Sequence, residues 1–591
     1  MRRLASFLLP NLSVLGPALR RHRRRYLVGY LCLLATNGFS LAIPMVLRAG
    51  VNRLETGGTT PMIVYGAWLV GLAAVSGLFR YFMRMILIGA SRRIEYELRN
   101  DFLGHLQRLS LSFFHRQKTG DLMARATNDL NAVRDVVGPG IMYGMNTVTI
   151  VTASLILMLR IDPWLTLFTL LPLPLLAFAV RRFASEMHHR SRAVQDQFGR
   201  LSSTIQENLA GIRVVQSYVQ EPFEERSFEE EARTYRSLGY RLIRYRALFF
   251  ATMGSLVGLL MLILLWAGGM RVIGDQIGLG DFVAFLGYLG MLTWPFIALG
   301  WVLSLVQRGE AAMARMREIR ERTPEIRSPD RPQGDPPLCE GRIRFEDVRF
   351  RYGPDGPEVL RGIDETIEPG TTVAIVGRTG SGKSTLVSLV PRLFDPTGGA
   401  ISIDGVDVRR RSLEELRRAV AVVPQDSFLF SDTLRANLVF GAPDAGEERI
   451  AEALRISRLE KDLATFPEGL ETRIGERGIT LSGGQRQRVA LARALLADPR
   501  ILILDDAFSN LDKITEAECT EALGSVRAQR TILLIAHRIS TVRDADRILV
   551  LQKGIVAESG THQELLEAAG IYSGMEREQR LAEEIERASV S

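Results

Sequence analysis

The sequence predicts a multi-domain chain: an all-α transmembrane half of six helices, followed by an α/β half built around a phosphate-binding loop. Three observations predict it. Hydrophobic residues make up 47% of the 591 positions while charged residues still reach 24%, a mixture that suits a membrane part joined to a water-facing part. Apolar stretches of spanning length all fall before residue 307. Gly377–Ser384 reads G-x-x-x-x-G-K-S, between an apolar run and an amphipathic one. A chain of this length also exceeds what one core organises.

The boundaries follow from composition. Residues 1–322 form the expected transmembrane domain, 323–341 (TPEIRSPDRPQGDPPLCEG) a Pro-rich polar linker, and 342–591 the second domain. The six spans are placed roughly at Tyr26–Leu47, Met62–Ala90, Val137–Leu159, Trp164–Val180, Ala247–Val272 and Phe282–Val306. The fourth is the shortest. Trp164, Trp294 and Trp301 suit an interfacial belt and a packed core equally well.

Arginine placement sets the orientation. The cluster LRRHRRR (Leu19–Arg25) precedes the first span and holds the N-terminus in the cytoplasm. The long, Arg-rich segments 91–136 and 181–246 then face inward, and the short connections AGVNRLETGG, RID and GDQIGLGD face outward. Both long segments carry amphipathic helical patterns, so the spans should run on past the bilayer. The first residues lack a small-residue cleavage site after a short apolar core, which favours uncleaved insertion. The net charge of +8 is accounted for by cytoplasmic flanks of membrane helices, so no nucleic-acid partner is expected. Cys32, Cys339 and Cys519 lie far apart, without the spacing of a disulfide framework or a zinc site.

Arg80 and Arg84 sit four residues apart, on one face of the second span. Two readings compete: cations snorkelling to the inner interface, or cations lining a substrate cavity open to the cytoplasm.

From Arg342 the pattern changes. RIRFEDVRFRY alternates like a strand with one buried face. TTVAIVGRTGSGKSTLVSLVPRLF then gives strand, glycine turn and helix. Gly377, Gly380 and Gly382 allow positive φ and close approach, so the N–H groups of Arg378, Thr379, Ser381 and Thr385 are placed to wrap phosphate at a helix start. Lys383 reaches the β- and γ-phosphates, and the Ser384 hydroxyl is a Mg²⁺ ligand. Further on, RILILDDAFSNLD (Arg500–Asp512) delivers Asp505 and Asp506 from a buried strand to the edge of the same site. The expected ligands are ATP and Mg²⁺.

LSGGQRQRVALARALL (Leu481–Leu496), between the phosphate loop and that acidic strand, resembles the signature of ABC transporters. FFHRQKTGDLMARATND (Phe113–Asp129) and ENLAGIRVVQSYVQE (Glu207–Glu221) resemble the two cytoplasmic coupling regions of the exporter branch. Six spans and one nucleotide-binding domain are its half-transporter layout, so the resemblance covers essentially the whole chain. It implies roles residue by residue. Tyr352 would stack on adenine, Gln425 would contact Mg²⁺ and sense the membrane domain, Asp505 would hold Mg²⁺, and His537 would contact the γ-phosphate. Leu481, Ser482, Gly483, Gly484 and Gln485 would complete the ATP site of a second subunit, so a dimer is required. The segment Gly475–Gly478 would couple that interface to the membrane helices.

At Asp506 the chain departs from the family, which usually has Glu there to orient the attacking water. Asp is shorter by one C–C bond, about 1.5 Å. A misplacement of about 1 Å costs roughly 10²-fold in rate, or about 2.7 kcal/mol of barrier. The D-loop, Ser509, Asn510, Leu511 and Asp512, also departs, with Asn510 where the family usually has Ala. An intact signature beside a shortened carboxylate resembles the degenerate-site subunit of heterodimeric exporters. A homodimer with a neutral Glu-to-Asp exchange is the alternative.

Three function classes follow from the resemblance. The first is an ATP-driven exporter or lipid flippase of the cell membrane, taking drugs, lipids or peptides. The second is an exporter-fold importer of metal chelates, and the third a gated channel that does not pump. Six spans exclude a soluble ABC protein acting on ribosomes or DNA.

Overall fold

A computed structural model describes residues 11–56, 61–333, 338, 340–475, 481–527 and 530–590. The chain divides into two compact units. The first holds 1–107 and 119–322, and the second holds 108–118 and 323–591.

The first unit is helical throughout its described residues. Its long members are Arg23–Glu55, Met62–Leu106, Thr119–Ile161, Leu173–Ala210, Glu221–Ile273 and Leu279–Arg320. Met62–Leu106, at 45 residues, is about 68 Å long at 1.5 Å per residue, more than twice the ~30 Å of a hydrocarbon core. Two π-turns interrupt the third helix, Arg125–Asp129 and Val136–Gly140. The second contains Pro139, whose missing N–H and bulky ring a regular α-turn does not accommodate.

Close helix contact rests on small residues. A Cβ on Gly29 would lie 2.5 Å from Leu87 Cδ2. One on Gly280 would lie 2.0 Å from Asn52 Oδ1, which instead accepts the Gly280 N–H at 3.1 Å. Polar pairs add register: Arg48 with Asp281 at 2.7 Å, Arg271 with Asp162, and Arg315 with Asp129 at 2.5 Å. Buried Glu95 gathers Arg92, Arg99 and Arg134.

Among the described residues four helices are long and apolar enough to cross a membrane: Arg23–Glu55, Met62–Leu106, Thr119–Ile161 and Glu221–Ile273. The fourth expected span is broken between Pro163–Leu170 and Leu173–Ala210. The sixth keeps a shorter apolar stretch, Leu279–Leu292, ahead of Pro295. Several side chains in both stretches lie outside the described set, and there the six-span expectation rests on sequence.

Among its described residues the second unit carries ten strands in two sheets. β1 (Ile343–Arg351), β2 (Glu358–Ile367), β4 (Gly398–Ile403) and β5 (Val406–Asp407) form an antiparallel sheet in the order β2-β1-β4-β5. The other contains β3 (Thr372–Val376), β6 (Val420–Val423), β7 (Ile501–Asp505), β8 (Thr531–Ile535), β9 (Arg547–Gln552) and β10 (Ile555–Gly560), in the order β10-β9-β3-β8-β7-β6. All its pairings are parallel except β10 with β9. β3 and β8 are buried along their whole length, and β7 up to Asp505, because both faces of this sheet are covered. One apolar cluster packs β1, β2 and β4 against β3, and another packs the helices on the opposite face.

The short helix Leu111–Arg116 belongs to this second unit. Ser112 donates to Glu325 Oε2 at 2.5 Å, Ser110 Oγ accepts Ile326 N–H at 2.9 Å, and the His115 ring lies 5.8 Å from that of Phe394. Domain limits drawn from sequence place this helix in the membrane domain, since it interrupts two membrane-derived helices in the chain.

Candidate functional site

Neighbouring parallel strands release their C-terminal ends along one edge, where ligands of such sheets bind. β3 ends in the phosphate loop, β8 in the turn carrying His537, β7 in Asp505, and β6 just before Gln425.

Gly377, Gly380 and Gly382 have φ of +150°, +80° and +104°. A Cβ on Gly377 would come within 2.2 Å of the Leu551 carbonyl, so glycine is obligatory there. Lys383 Nζ donates to the carbonyls of Gly377 (2.8 Å) and Arg378 (3.1 Å). Burial pushes its pKa below the usual lysine range, and nearby Asp505 and Asp506 partly offset this. Ser381 Oγ is buried with no hydrogen-bond partner. A desolvated ammonium and an orphaned hydroxyl inside a glycine loop suit phosphate oxygens. Arg378 and Thr379 at the tip are exposed, Arg378 lying 3.6 Å from Glu578.

Ser384 Oγ donates to Asp505 Oδ1 at 3.0 Å, placing a hydroxyl and a carboxylate together as a divalent cation requires. Burial raises the Asp505 pKa; the Ser384 hydrogen bond opposes the rise and Asp506 adds to it. Asp506 follows with φ of +50°, a left-handed conformation that Asp tolerates better than most residues. Its Oδ2 accepts from Gln425 Nε2 at 3.4 Å. Exposed His537 is close enough to Asp505 to favour its ionised form. These expected residues share one locus.

Tyr352 is half-exposed, edge-on to Phe350 and Phe394, and its hydroxyl lies 3.0 Å from Thr385 Oγ1. It lines a cavity of about 570 Å³ together with His115, Arg116 and Phe394.

The signature residues open the helix Gly483–Leu496. Ser482 and Gln485 form a reciprocal cap, Ser482 Oγ accepting Gln485 N–H at 3.1 Å and Gln485 Oε1 accepting Ser482 N–H at 3.0 Å. Leu481 is buried behind them. A Cβ on Gly484 would meet Leu511 Cδ2 at 2.9 Å, and one on Gly483 would meet Asn510 Cβ at 3.2 Å. The D-loop therefore packs directly on the signature glycines. Asp512 Oδ1 caps the next helix through Thr515 N–H at 2.9 Å.

Sequence reasoning missed Gln487. It is buried, donates to Ser509 Oγ at 2.9 Å and accepts Asn510 N–H at 3.0 Å, tying signature helix to D-loop. A glutamine on the apolar face of that helix was the available signal. Of the expected coupling segment Gly475–Gly478, only Gly475 lies within the described residues.

In the first unit Arg80 and Arg84 line a cavity of about 440 Å³ with Thr36, Asn37, Ser40, Asn146 and apolar side chains including Met83, Met142 and Trp294. Among the described residues no acidic side chain lines it, and Asn37 Nδ2 is buried without a partner.

The family model of the ABC transporter transmembrane region matches residues 26–296, and that of the ABC transporter matches 360–509. A probable multidrug resistance ABC transporter ATP-binding/permease protein of Bacillus subtilis is 36% identical over 96% of this chain and 98% of its own length. An ATP-dependent lipid A-core flippase of Syntrophus aciditrophicus is 34% identical over 96% and 95%. The solved structure of a bacterial Atm1-family ABC exporter with ATP bound is similar at a TM-score of 0.77 and 29% identity, covering 94% of this chain and 98% of that one. With both halves matched and relatives aligned end to end, this chain belongs to the ABC transporter family, in its exporter-type half-transporter form.

Proposed function

We propose that this chain is one half of an ATP-driven exporter or lipid flippase for amphipathic compounds, that it works with a different half-transporter, and that its own ATP site is catalytically weak. The observation that carries the asymmetry is a complete, capped signature beside Asp506, whose short side chain reaches only a 3.4 Å contact with Gln425. Names of the relatives, multidrug resistance protein and lipid A-core flippase, support the cargo class.

Ser384 and Asp505 would hold Mg²⁺, which would supply positive charge to the phosphate oxygens. The loop N–H groups, Lys383 and Ser381 bind the phosphates, and Tyr352 presents a ring face to adenine once its hydroxyl releases Thr385. His537 contacts the γ-phosphate. The second subunit's signature closes this site, and Ser482, Gly483 and Gly484 close the partner's. The short helix Ile212–Ser217 and the turn after it expose Val214, Tyr218 and Val219 (62%, 73% and 74%), a surface that suits burial against a second subunit. In the membrane half, Arg80, Arg84 and Asn37 offer donors to an anionic group of the cargo, and Met142 and Trp294 receive its apolar part.

The test is purification with the co-expressed partner, reconstitution in proteoliposomes, and parallel assay of ATPase activity and amphiphile movement. ATP-dependent, vectorial movement supports the reading. ATP hydrolysis with passive, bidirectional flux would assign a gated channel instead.

A further inference from the structure

The C-terminal helix Ile571–Val590 reaches the nucleotide site through Gln579 and, at the phosphate loop, through an exposed Glu578–Arg378 pair. Gln579, half-buried, donates Nε2–H to the His537 carbonyl at 2.5 Å, and its Oε1 accepts the Ile539 N–H at 2.8 Å. Ile539 opens the short helix Ile539–Val542, and Arg538 before it supplies no side-chain cap. The Gln579 amide therefore takes a helix-start N–H that the helix itself cannot satisfy. One planar group brackets both ends of a two-residue step, as a neighbouring strand would.

The loop is held from its other side as well. Arg538, between the two clamped groups, pairs with Glu516 and donates to the Leu511 carbonyl of the D-loop at 3.4 Å. The clamping helix is itself fixed. The Glu558 carboxylate accepts the N–H groups of Ile571 (2.5 Å) and Tyr572 (3.0 Å), where negative charge suits a helix start. Tyr572 is fully buried and its hydroxyl lies 2.7 Å from His562 Nδ1. The neighbouring Arg378–Glu578 pair is exposed on both sides, and such pairs contribute little. Among the described residues, the hydrogen bonds that join this helix to the His537 turn are those of the Gln579 amide, beside apolar packing of Tyr572 and Met575 in the cluster that holds Ile539 and Val542.

We propose that Gln579 is a positioning residue for His537: its side-chain amide fixes the turn after β8 so that the imidazole stands ready for the terminal phosphate of ATP. This rests on the reading of His537 as the γ-phosphate contact. Only a side chain with a donor and an acceptor on one end satisfies both backbone groups. Glutamate keeps the Ile539 contact but turns a second oxygen toward the His537 carbonyl.

The experiment measures equilibrium binding of ATP and ADP, each with Mg²⁺, to the full transporter carrying His537→Ala, Gln579→Ala, Gln579→Glu, or His537→Ala with Gln579→Ala. Melting temperature is recorded alongside. His537→Ala should lower the ATP-over-ADP preference about tenfold, as expected for one hydrogen bond to a charged group. Both Gln579 variants should lower it to a similar extent, with ADP affinity within about twofold of wild type. The double variant should show no further loss, because the two residues act through one contact. An unchanged preference in both Gln579 variants, alongside a loss in His537→Ala, overturns the proposal and leaves the His537 reading standing. Equal weakening of ATP and ADP, or additive loss in the double variant, also overturns it in favour of a general structural role. An unchanged preference in His537→Ala removes the γ-phosphate reading and the proposal with it.

Discussion

Gln425 Nε2 stands 3.4 Å from Asp506 Oδ2, at the long edge of hydrogen bonding. Asp506 departs from a backbone with φ of +50°, and its amide is fixed by the Ile535 carbonyl at 3.0 Å. The carboxylate therefore cannot advance by a backbone shift, and its reach is set by its one methylene. Asp506→Asn should lower ATPase activity of the two-chain transporter by less than about twofold, because a misplaced base contributes little to the total. Asp506→Glu should raise single-turnover hydrolysis at this site by up to about 10²-fold. Rapid-quench assays on the reconstituted pair check both. A large loss in Asp506→Asn contradicts the weak-site reading.

Lys383 commits its ammonium to two loop carbonyls while burial disfavours its charge. Phosphate is the stronger partner, so the side chain should exchange those carbonyls for it. Lys383→Ala should weaken Mg²⁺–ATP binding at this site by at least about tenfold, the loss of a charge-assisted hydrogen bond. Titration with a fluorescent ATP analogue measures it. Retained affinity together with retained transport would remove Lys383 from the site.

Much of this site was legible in the sequence because β3, β7 and β8 are apolar runs with little alternation, each ending in a chemically marked turn. Such runs belong to strands covered on both faces, and parallel strands deliver their ends to one edge. What could not be read depends on contacts made across the fold. Gln579 lies 42 residues from the carbonyl it holds. The Tyr352–Thr385 contact joins a loop to the first helix turn after the phosphate loop. Leu111–Arg116 joins the second unit through Ser112 and Glu325, 213 positions apart. The left-handed backbone at Asp506 is permitted by aspartate but not demanded by it.

Asp505 gives a pH test whose sign is fixed. Burial, the largest effect, raises its pKa above the ordinary carboxylate value. That contribution to folding stability is present below the unfolded pKa and is lost as pH rises through the folded one. Asp505→Asn, which keeps an acceptor for Ser384, should therefore melt above wild type in nucleotide-free, mildly alkaline buffer, and near it in acid. Mg²⁺ binds the ionised form, so Mg²⁺–ATP affinity of wild type should fall on acidification through the same titration. Differential scanning calorimetry and titration across pH read the two effects. A variant that melts below wild type at alkaline pH would show that ionised Asp505 stabilises the empty site.

Arg80 and Arg84 face a cavity whose described lining has no acidic side chain, and Asn37 adds an unused donor. An anionic headgroup would satisfy all three, whereas a neutral cargo would leave two guanidinium groups to water. Replacing each arginine with Gln should weaken binding of anionic amphiphiles by about tenfold per removed charged contact and leave neutral analogues within about twofold. Fluorescence quenching in nanodiscs of uncharged lipid reports both. Equal effects on the two cargoes, or none on either, would return the arginines to a snorkelling role.

Ser482 provides the most exposed test, because one residue serves two purposes. Its hydroxyl caps the signature helix, and the same helix start faces a nucleotide held by the second subunit under the proposed reading. Ser482→Ala should cost about 1 kcal/mol of stability through the lost cap. If it also stops turnover of the two-chain transporter while ATP remains bound at the Asp506 site, the signature works in trans. Ser482→Asp retains a capping oxygen but places negative charge against phosphate, so it should keep the melting temperature and lose turnover. The decisive control is this chain purified alone in nanodiscs. A stable homodimer that hydrolyses ATP at about 1 s⁻¹ or faster, within the ordinary enzyme range, and is silenced by Asp506→Asn would make Asp506 a competent catalyst. The heterodimer reading would then fall, and Ser482 would be completing a site on an identical chain.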